Sequence, residues 1–230
     1  MKIFNAEKIK ELDKLTIETQ KITSLELMER AALQAFLWLV NHFHDKKTVY
    51  HIFCGVGNNG GDGLVIARML KQNYFEVHVY VVPFSEKFSN DFDSNLERLK
   101  ECNLTYEVIN ADSEFPDIAE NHIIIDAIFG IGLTKVMDSW LQLLIQKINY
   151  HQSFTVSIDI PSGLFLNQKT NLAIHSDVVL TFQLPKLAFY LPDNENFINE
   201  IVLLPIDLDE KAIEFIPSNY FYTNLNEIKK

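Results

Sequence analysis

A doubly wound α/β domain with an N-terminal helical extension is the fold class that the sequence predicts, and three observations predict it. From residue 48 onward apolar, strand-like segments alternate with amphipathic helical ones, the pattern of βαβ units with parallel strands and helices on both faces. Ahead of that alternation the chain opens on two helical stretches. Finally, there are eight glycines, where an average composition gives roughly sixteen, and they fall in three short runs: Gly55 to Gly63, Gly130 with Gly132, and Gly163.

The elements follow in order. Asn5 to Gln20 reads as one amphipathic helix. Thr23 and Glu26 have capping-box spacing and start a second helix over Leu25 to Phe43. Thr48 to Phe53 (TVYHIF) reads as a strand, Asp62 to Gln72 as a helix and Phe75 to Val82 (FEVHVYVV) as an alternating strand, which makes one βαβ unit. Asn90 to Cys102 is a charged helix, Leu104 to Ile109 a short strand, His122 to Ile128 a buried strand and Ser139 to Tyr150 an amphipathic helix. Phe154 to Ile160, Asp177 to Phe182 and Glu200 to Pro205 complete the strands. No repeat, low-complexity tract or linker divides the 230 residues, so a single domain over residues 1–230 is expected, with right-handed crossovers.

Composition narrows the function. A 47% hydrophobic, 22% charged chain excludes disorder, collagen and coiled coil. The net charge of −11 argues against a nucleic-acid partner, whose affinity rests on Lys and Arg. Two cysteines without metal-ligand spacing, Cys54 and Cys102, fit free thiols in a reducing compartment. Met1 to Lys10 carries four charges and no apolar leader, and the longest near-apolar run, Ala31 to Val40, is too short to span a bilayer. A cytoplasmic protein is expected. The seven histidines show no ligand spacing, and surface positions are expected for them.

Each glycine run follows a strand, at its carboxyl end, where an open parallel sheet binds ligands. Gly55-Val56-Gly57-Asn58-Asn59-Gly60 matches the G-x-G-x-x-G fingerprint and precedes a helix, so its backbone N–H groups can face a pyrophosphate. A dinucleotide dehydrogenase would also carry an acid at the end of the second strand, which here reads Val81-Val82-Pro83. The loop is therefore expected to use the side chains of Asn58, Asn59 and Asp62, although Asp62 also suits a helix N-cap. Asp126 opens the second run (DAIFGIGLTK) and Asp159 the third (DIPSG). Clustered carboxylates must bind a cation, share protons or pair with a base. Asn59, Asp126 and Ser162 offer oxygen to a hard cation from three loops, and no His or Cys joins them to suggest zinc. Ser162 lacks a nucleophile elbow and Cys54 an activating base. The acids left to move protons are Asp62 and Asp159.

These residues resemble a known family. Cys54 to Arg68 (CGVGNNGGDGLVIAR), Asp126 to Leu133 (DAIFGIGL) and Asp159 to Leu164 (DIPSGL) are similar to the NAD(P)H-hydrate epimerases, the YjeF N-terminal domain family. Leu27 to Ala31 (LMERA) is similar to the family's N-terminal helix signature, and Thr181-Phe182 with Pro185-Lys186 to a late motif, so nearly the whole chain is covered. The resemblance implies a three-layer α/β/α Rossmann-like fold with a mostly parallel sheet, usually dimeric. It implies an isomerase that interconverts the R and S epimers of hydrated NADH or NADPH at C6 of the nicotinamide ring, a metabolite-repair reaction. A potassium ion is implied at Asn59, Asp126 and Ser162. The hydrated dinucleotide is implied to contact Asn58, Asn59, Gly60, Gly61, Asp62, Gly130, Ile131, Gly132, Leu133, Thr134, Lys135, Val136 and Asp159. Asp159, with Asp62, is then expected to transfer the protons that open and reclose the bond at C6.

Two departures stand out: Phe165 to Lys169 lacks a glycine often found in that turn, and Asn73 replaces a helix-end glycine. In many bacteria this domain is fused to a hydrate dehydratase, and Asn224 to Lys230 reads like the start of a connection. An epimerase domain excised from a bifunctional epimerase and ADP-dependent dehydratase is one alternative. A non-catalytic nucleotide-binding or scaffold domain of the same fold is another.

Overall fold

The computed structural model describes residues 1–223. A two-residue strand β1 (Lys2–Ile3) precedes α1 (Ala6–Gln20) and α2 (Ser24–His42). There follow β2 (Val49–Gly55), α3 (Asn58–Gln72), β3 (Glu76–Val82), α4 (Asn90–Glu101), β4 (Tyr106–Val108), β5 (Ile123–Ala127), α5 (Ser139–Tyr150), β6 (Phe154–Ile158) and β7 (Ser176–Phe182). The chain continues into β8 (Ile198–Leu204), α6 (Glu210–Phe215) and β9 (Tyr220–Phe221). Strands β2 to β8 form a seven-stranded sheet in the order β4-β3-β2-β5-β6-β7-β8, and every pairing in it is parallel. The chain winds outward from β2 to β4, returns to β5 beside β2, and winds outward the other way. Strand order therefore reverses between β2 and β5, and a crevice opens there at the strands' carboxyl ends.

All seven residues of β2 are buried, as a central parallel strand requires. Tyr50, Ile52 and Cys54 join the core beneath α2, α3 and α4 with Leu39, Ile66 and Leu99, while Phe53 points into the core beneath α5 with Leu144 and Ile148. These are the three expected layers. Helix α1 lies outside them and packs through Leu12 against Leu208, Ala212 and Ile216. It is fixed by the Asp209 backbone N–H, which donates to Thr16 Oγ1 at 3.0 Å. Among the described residues no helix is long and apolar enough to cross a membrane. The expected connection at Asn224 to Lys230 lies outside the described residues.

Most sequence boundaries agree to within a residue or two, and the capping box of Thr23 and Glu26 is present in full. The differences have physical reasons. Helix α3 starts at Asn58, four positions before Asp62, so Asp62 is inside the helix and Gly57 is the N-cap. Glycine is a poor helix former, which hides that first turn in the sequence. It is needed because a Cβ at Gly60 would lie 1.6 Å from the Gly55 carbonyl oxygen. Strand β6 stops at Ile158 because Asp159 takes a left-handed φ of 64°. Asn73 has φ −98°, and the left-handed residue after α3 is Tyr74. The turn after Gly163 is closed without a further glycine, by the Phe165 N–H donating to Thr170 Oγ1 at 2.9 Å. His51 is not on the surface: at 3% exposure it lies on β2, stacked on His78 and Tyr80.

Candidate active site

A cavity of about 880 Å³ opens at the reversal of strand order, a size suited to a small-molecule ligand. Its floor comes from the loops after β2, β5 and β6, and α1 and the start of α2 wall it opposite. The first turn of α3 points into it. The N-cap Gly57 makes no side-chain cap bond, so the N–H groups of this turn are free to meet an anion, favoured by the helix dipole. In place of a ribose-binding acid after β3, the cavity has Phe84, packed against Phe129 with ring centroids 4.5 Å apart and planes tilted by 39°.

Behind the floor the loops are tied together by Asp126. This fully buried carboxyl accepts from the Ser157 hydroxyl at 2.7 Å, the Ser162 N–H at 2.8 Å, the Ile128 N–H at 3.2 Å and the Ser162 hydroxyl. Burial pushes Asp126 above the usual carboxylate range, against the pull of those hydrogen bonds. Ser162 Oγ in turn accepts from the Phe129 N–H at 2.8 Å, and Asn59 Nδ2 donates to the Phe129 carbonyl at 3.0 Å. Asn59 through Nδ2 and Ser162 through Oγ therefore meet at Phe129, and Asp126 joins them through its bonds to Ser162.

At the floor, Asp159 Oδ1 accepts from Thr181 Oγ1 at 3.3 Å, the Phe182 N–H at 3.2 Å and Lys186 Nζ. Lys186 is 1% exposed and also donates to Thr181 Oγ1 at 2.6 Å and the Phe182 carbonyl at 3.2 Å. All three of its protons are placed, so this is a satisfied buried cation. The left-handed backbone of Asp159, rare outside glycine, is what aims its carboxyl into this network. Asp62 has no such partner among the described residues: burial first, then the charges of Asp159, Asp13 and Asp91, push its carboxyl well above the ordinary range. Asp13, on α1, is raised to about 6 by burial and by Asp159, and Lys186 opposes the shift.

Asn58, Asn59, Asp62, Gly130, Ile131, Gly132, Leu133, Thr134, Lys135, Val136 and Asp159 all line this one cavity. Gly60 and Gly61 do not; they are buried where a side chain would strike Gly55 and Met28. Asp126 and Ser162 sit behind the lining. Sequence reasoning missed Asp13 as a cavity group and assigned Lys186 only to a motif. Both left a signal. Lys186 is a lone charge in the apolar run TFQLPKLAF, and Asp13 interrupts the apolar line Ile9, Ile17 at i, i+4 spacing.

A family model described as YjeF-related protein N-terminus matches residues 24–188. An NAD(P)H-hydrate epimerase of Anaerococcus prevotii is 34% identical over 225 residues, covering 94% of this chain and 100% of that protein. One of Roseobacter litoralis is 35% identical over 206 residues, covering 81% of this chain and 91% of that protein. A bifunctional NAD(P)H-hydrate repair enzyme Nnr of Dictyoglomus turgidum is 32% identical, and the match takes up 93% of this chain and 43% of that longer protein. In fold the chain is similar to the crystal structure of a yeast protein, ynu0, at TM-score 0.74 and 21% identity, over 99% of this chain and 98% of that one.

Proposed function

Because this chain belongs to the YjeF-related protein N-terminus family, we propose that it is an isomerase that interconverts the R and S epimers of hydrated NADH and NADPH at C6 of the nicotinamide ring. The observation that carries this reading is the convergence on one cavity of an uncapped helix N-terminus, suited to a pyrophosphate, and carboxyl groups in contrasting settings, suited to proton transfer. In the hydrate, C6 bears both a hydroxyl and the ring nitrogen N1. Opening the C6–N1 bond gives an aldehyde, and reclosure from the other side gives the other epimer. Opening needs one group to accept the hydroxyl proton and one to protonate N1. Asp159, bonded to Lys186, and Asp62, with a raised affinity for its proton, suit these two tasks. Asn58, Asn59 and the segment from Gly130 to Val136 hold the dinucleotide in this reading.

A potassium ion belongs to the same reading, at Asn59, Asp126 and Ser162. The donor set fits: it is all oxygen with a single carboxylate, and Asn59 Nδ2 is already engaged by the Phe129 carbonyl, which leaves Oδ1 for a hard cation. The ion would order the three loops and offset the clustered negative charge. The family resemblance supports a homodimer, and the free thiols Cys54 and Cys102 support a cytoplasmic setting. The test is chromatographic or NMR equilibration of one purified epimer with and without the protein. Acceleration above the spontaneous rate is expected; none, with dinucleotide binding intact, means a binding role instead.

A further inference from the structure

Four carboxyls that line the cavity, Asp13, Glu18, Asp91 and Asp138, come from outside the glycine runs and strand ends. Glu18 pairs with Lys14, Asp91 accepts from the Ser24 hydroxyl and Asp138 is exposed, which leaves Asp13. Asp13 comes from α1, outside the residues 24–188 that the family model matches. It faces the cavity between Ile9 and Ile17, where a charged group loses hydration unless something replaces it. Lys186, whose charge acts on it, already donates to Asp159, Thr181 and Phe182. Among the described residues Asp13 is thus a carboxyl facing the ligand space without a hydrogen bond to hold it in a structural role.

We propose that Asp13 is a proton-transferring residue of the epimerisation, serving one face of C6 while Asp159 serves the other. The proposal rests on the epimerase reading above. The R and S hydroxyls project from opposite faces of the ring, so one fixed base cannot reach both. The two carboxyls come from different walls: Asp159 from the end of β6, Asp13 from the helix that closes the cavity. In one direction the Asp13 carboxylate takes the C6 hydroxyl proton, the C6–N1 electron pair moves to N1, and N1 takes a proton from Asp62. Rotation about C5–C6 turns the aldehyde, N1 attacks the opposite face and returns its proton to Asp62, and the new alkoxide takes a proton from the Lys186–Asp159 pair. The reverse direction exchanges the two roles. Asp13 and the pair then re-equilibrate through water; nothing is oxidised or reduced.

The charges around Asp13 agree with this. Burial and then Asp159 raise it, Lys186 lowers it, and the net position of about 6 is where a carboxylate works well as a base at neutral pH. The other charged groups that line the cavity are Asp62 on α3, Asp91 at the start of α4, Lys10, Lys14 and Glu18 on α1, and Lys135 and Asp138 before α5.

The experiment measures single-epimer equilibration by the full chain, Asp13→Asn and Asp13→Glu across pH about 5 to 9, together with thermal unfolding. For Asp13→Asn a loss of about 100-fold in kcat is expected in both directions, with KM changed by less than about threefold. The acid limb of the wild-type profile near pH 6 is expected to vanish in Asp13→Asn, and Asp13→Glu to recover part of the rate. Asp13→Asn is expected to unfold no earlier than wild type, because it removes repulsion from Asp159. A kcat within about threefold of wild type, an unchanged acid limb, or a loss confined to KM and melting temperature overturns the proposal and leaves the epimerase reading intact. A wild-type protein that does not accelerate equilibration overturns the epimerase reading and this proposal with it.

Discussion

Lys186 and Asp159 form an ion pair within the molecule, with their side chains 2% and 13% exposed. The lysine follows β7 and the aspartate follows β6, so the pair joins neighbouring strand ends across the floor of the cavity. It holds one carboxyl in a polar network while Asp62, in the same cavity, has burial and three like charges acting on it. Two carboxyls in one cavity thus have opposite surroundings, the arrangement that separates a proton acceptor from a proton donor.

Removing one member of this pair is expected to act differently from neutralising the other. Lys186→Met leaves a buried carboxylate unpaired and is expected to cost about 3–5 kcal/mol in urea unfolding. Asp159→Asn keeps an oxygen for Lys186 and the Phe182 N–H, so it is expected to fold and to bind dinucleotide, while epimer equilibration slows by about 100-fold or more. Full activity in folded Asp159→Asn would remove Asp159 from the chemistry.

Asp126 is expected to connect stability to potassium. In the wild type, a melting temperature higher in potassium chloride than in choline chloride at equal ionic strength is expected, equivalent to about 2–3 kcal/mol near saturation. Asp126→Asn turns an acceptor into a donor facing the Ser162 N–H or the Ser157 hydroxyl, which costs about 1–3 kcal/mol and is expected to abolish the potassium response. Equal melting in both salts for the wild type would count against the cation.

The glycines separate fold from binding. A Cβ at Gly60 meets backbone at 1.6 Å, and Gly60→Ala is expected to cost at least about 3 kcal/mol with no side chain able to relieve it. At Gly57 the nearest atom to an added Cβ is on Phe84 at 3.9 Å, so Gly57→Ala is expected to fold normally and to lose dinucleotide affinity by about tenfold, read by calorimetry. Unchanged affinity in Gly57→Ala would refute close approach of the ligand backbone to this turn.

Much of this was legible in the sequence because the informative features are local. Strand alternation, the capping box at Thr23 and the three glycine runs depend on residues near one another, and placing the runs at strand ends was enough to bring Asn59, Asp126, Asp159 and Ser162 together. What stayed hidden depends on distant partners. The role of Lys186 needs β6 beside β7, and Asp13 reaches the cavity only because Leu12 and Thr16 anchor α1 on the segment around α6. The six-residue α6 and the two-residue β1 and β9 are too short to carry a period.

Histidine placement gives the last prediction, remote from the cavity. His51 Nδ1 lies 3.1 Å from Tyr80 Oη and its Nε2 2.9 Å from His122 Nδ1, while His78 stacks on it at 4.8 Å. Burial pushes His51 down to about 3, and the charges of His78, His122 and His151 push the same way. A base whose folded pKa lies below its unfolded value near 6.5 contributes stability that is fully present above about pH 6.5 and is lost as pH falls toward 3. Over that window this one group takes away up to about 1.4 kcal/mol per pH unit, because the unfolded chain binds a proton that the folded chain refuses. His51→Gln keeps a donor and an acceptor for its neighbours without titrating. It is expected to lose some stability at pH 8 and to show a shallower decline than wild type in urea unfolding between about pH 6.5 and 4.5. The carboxyl groups titrate in both proteins and cancel in the difference, so parallel curves would mean that His51 takes up its proton in the folded state.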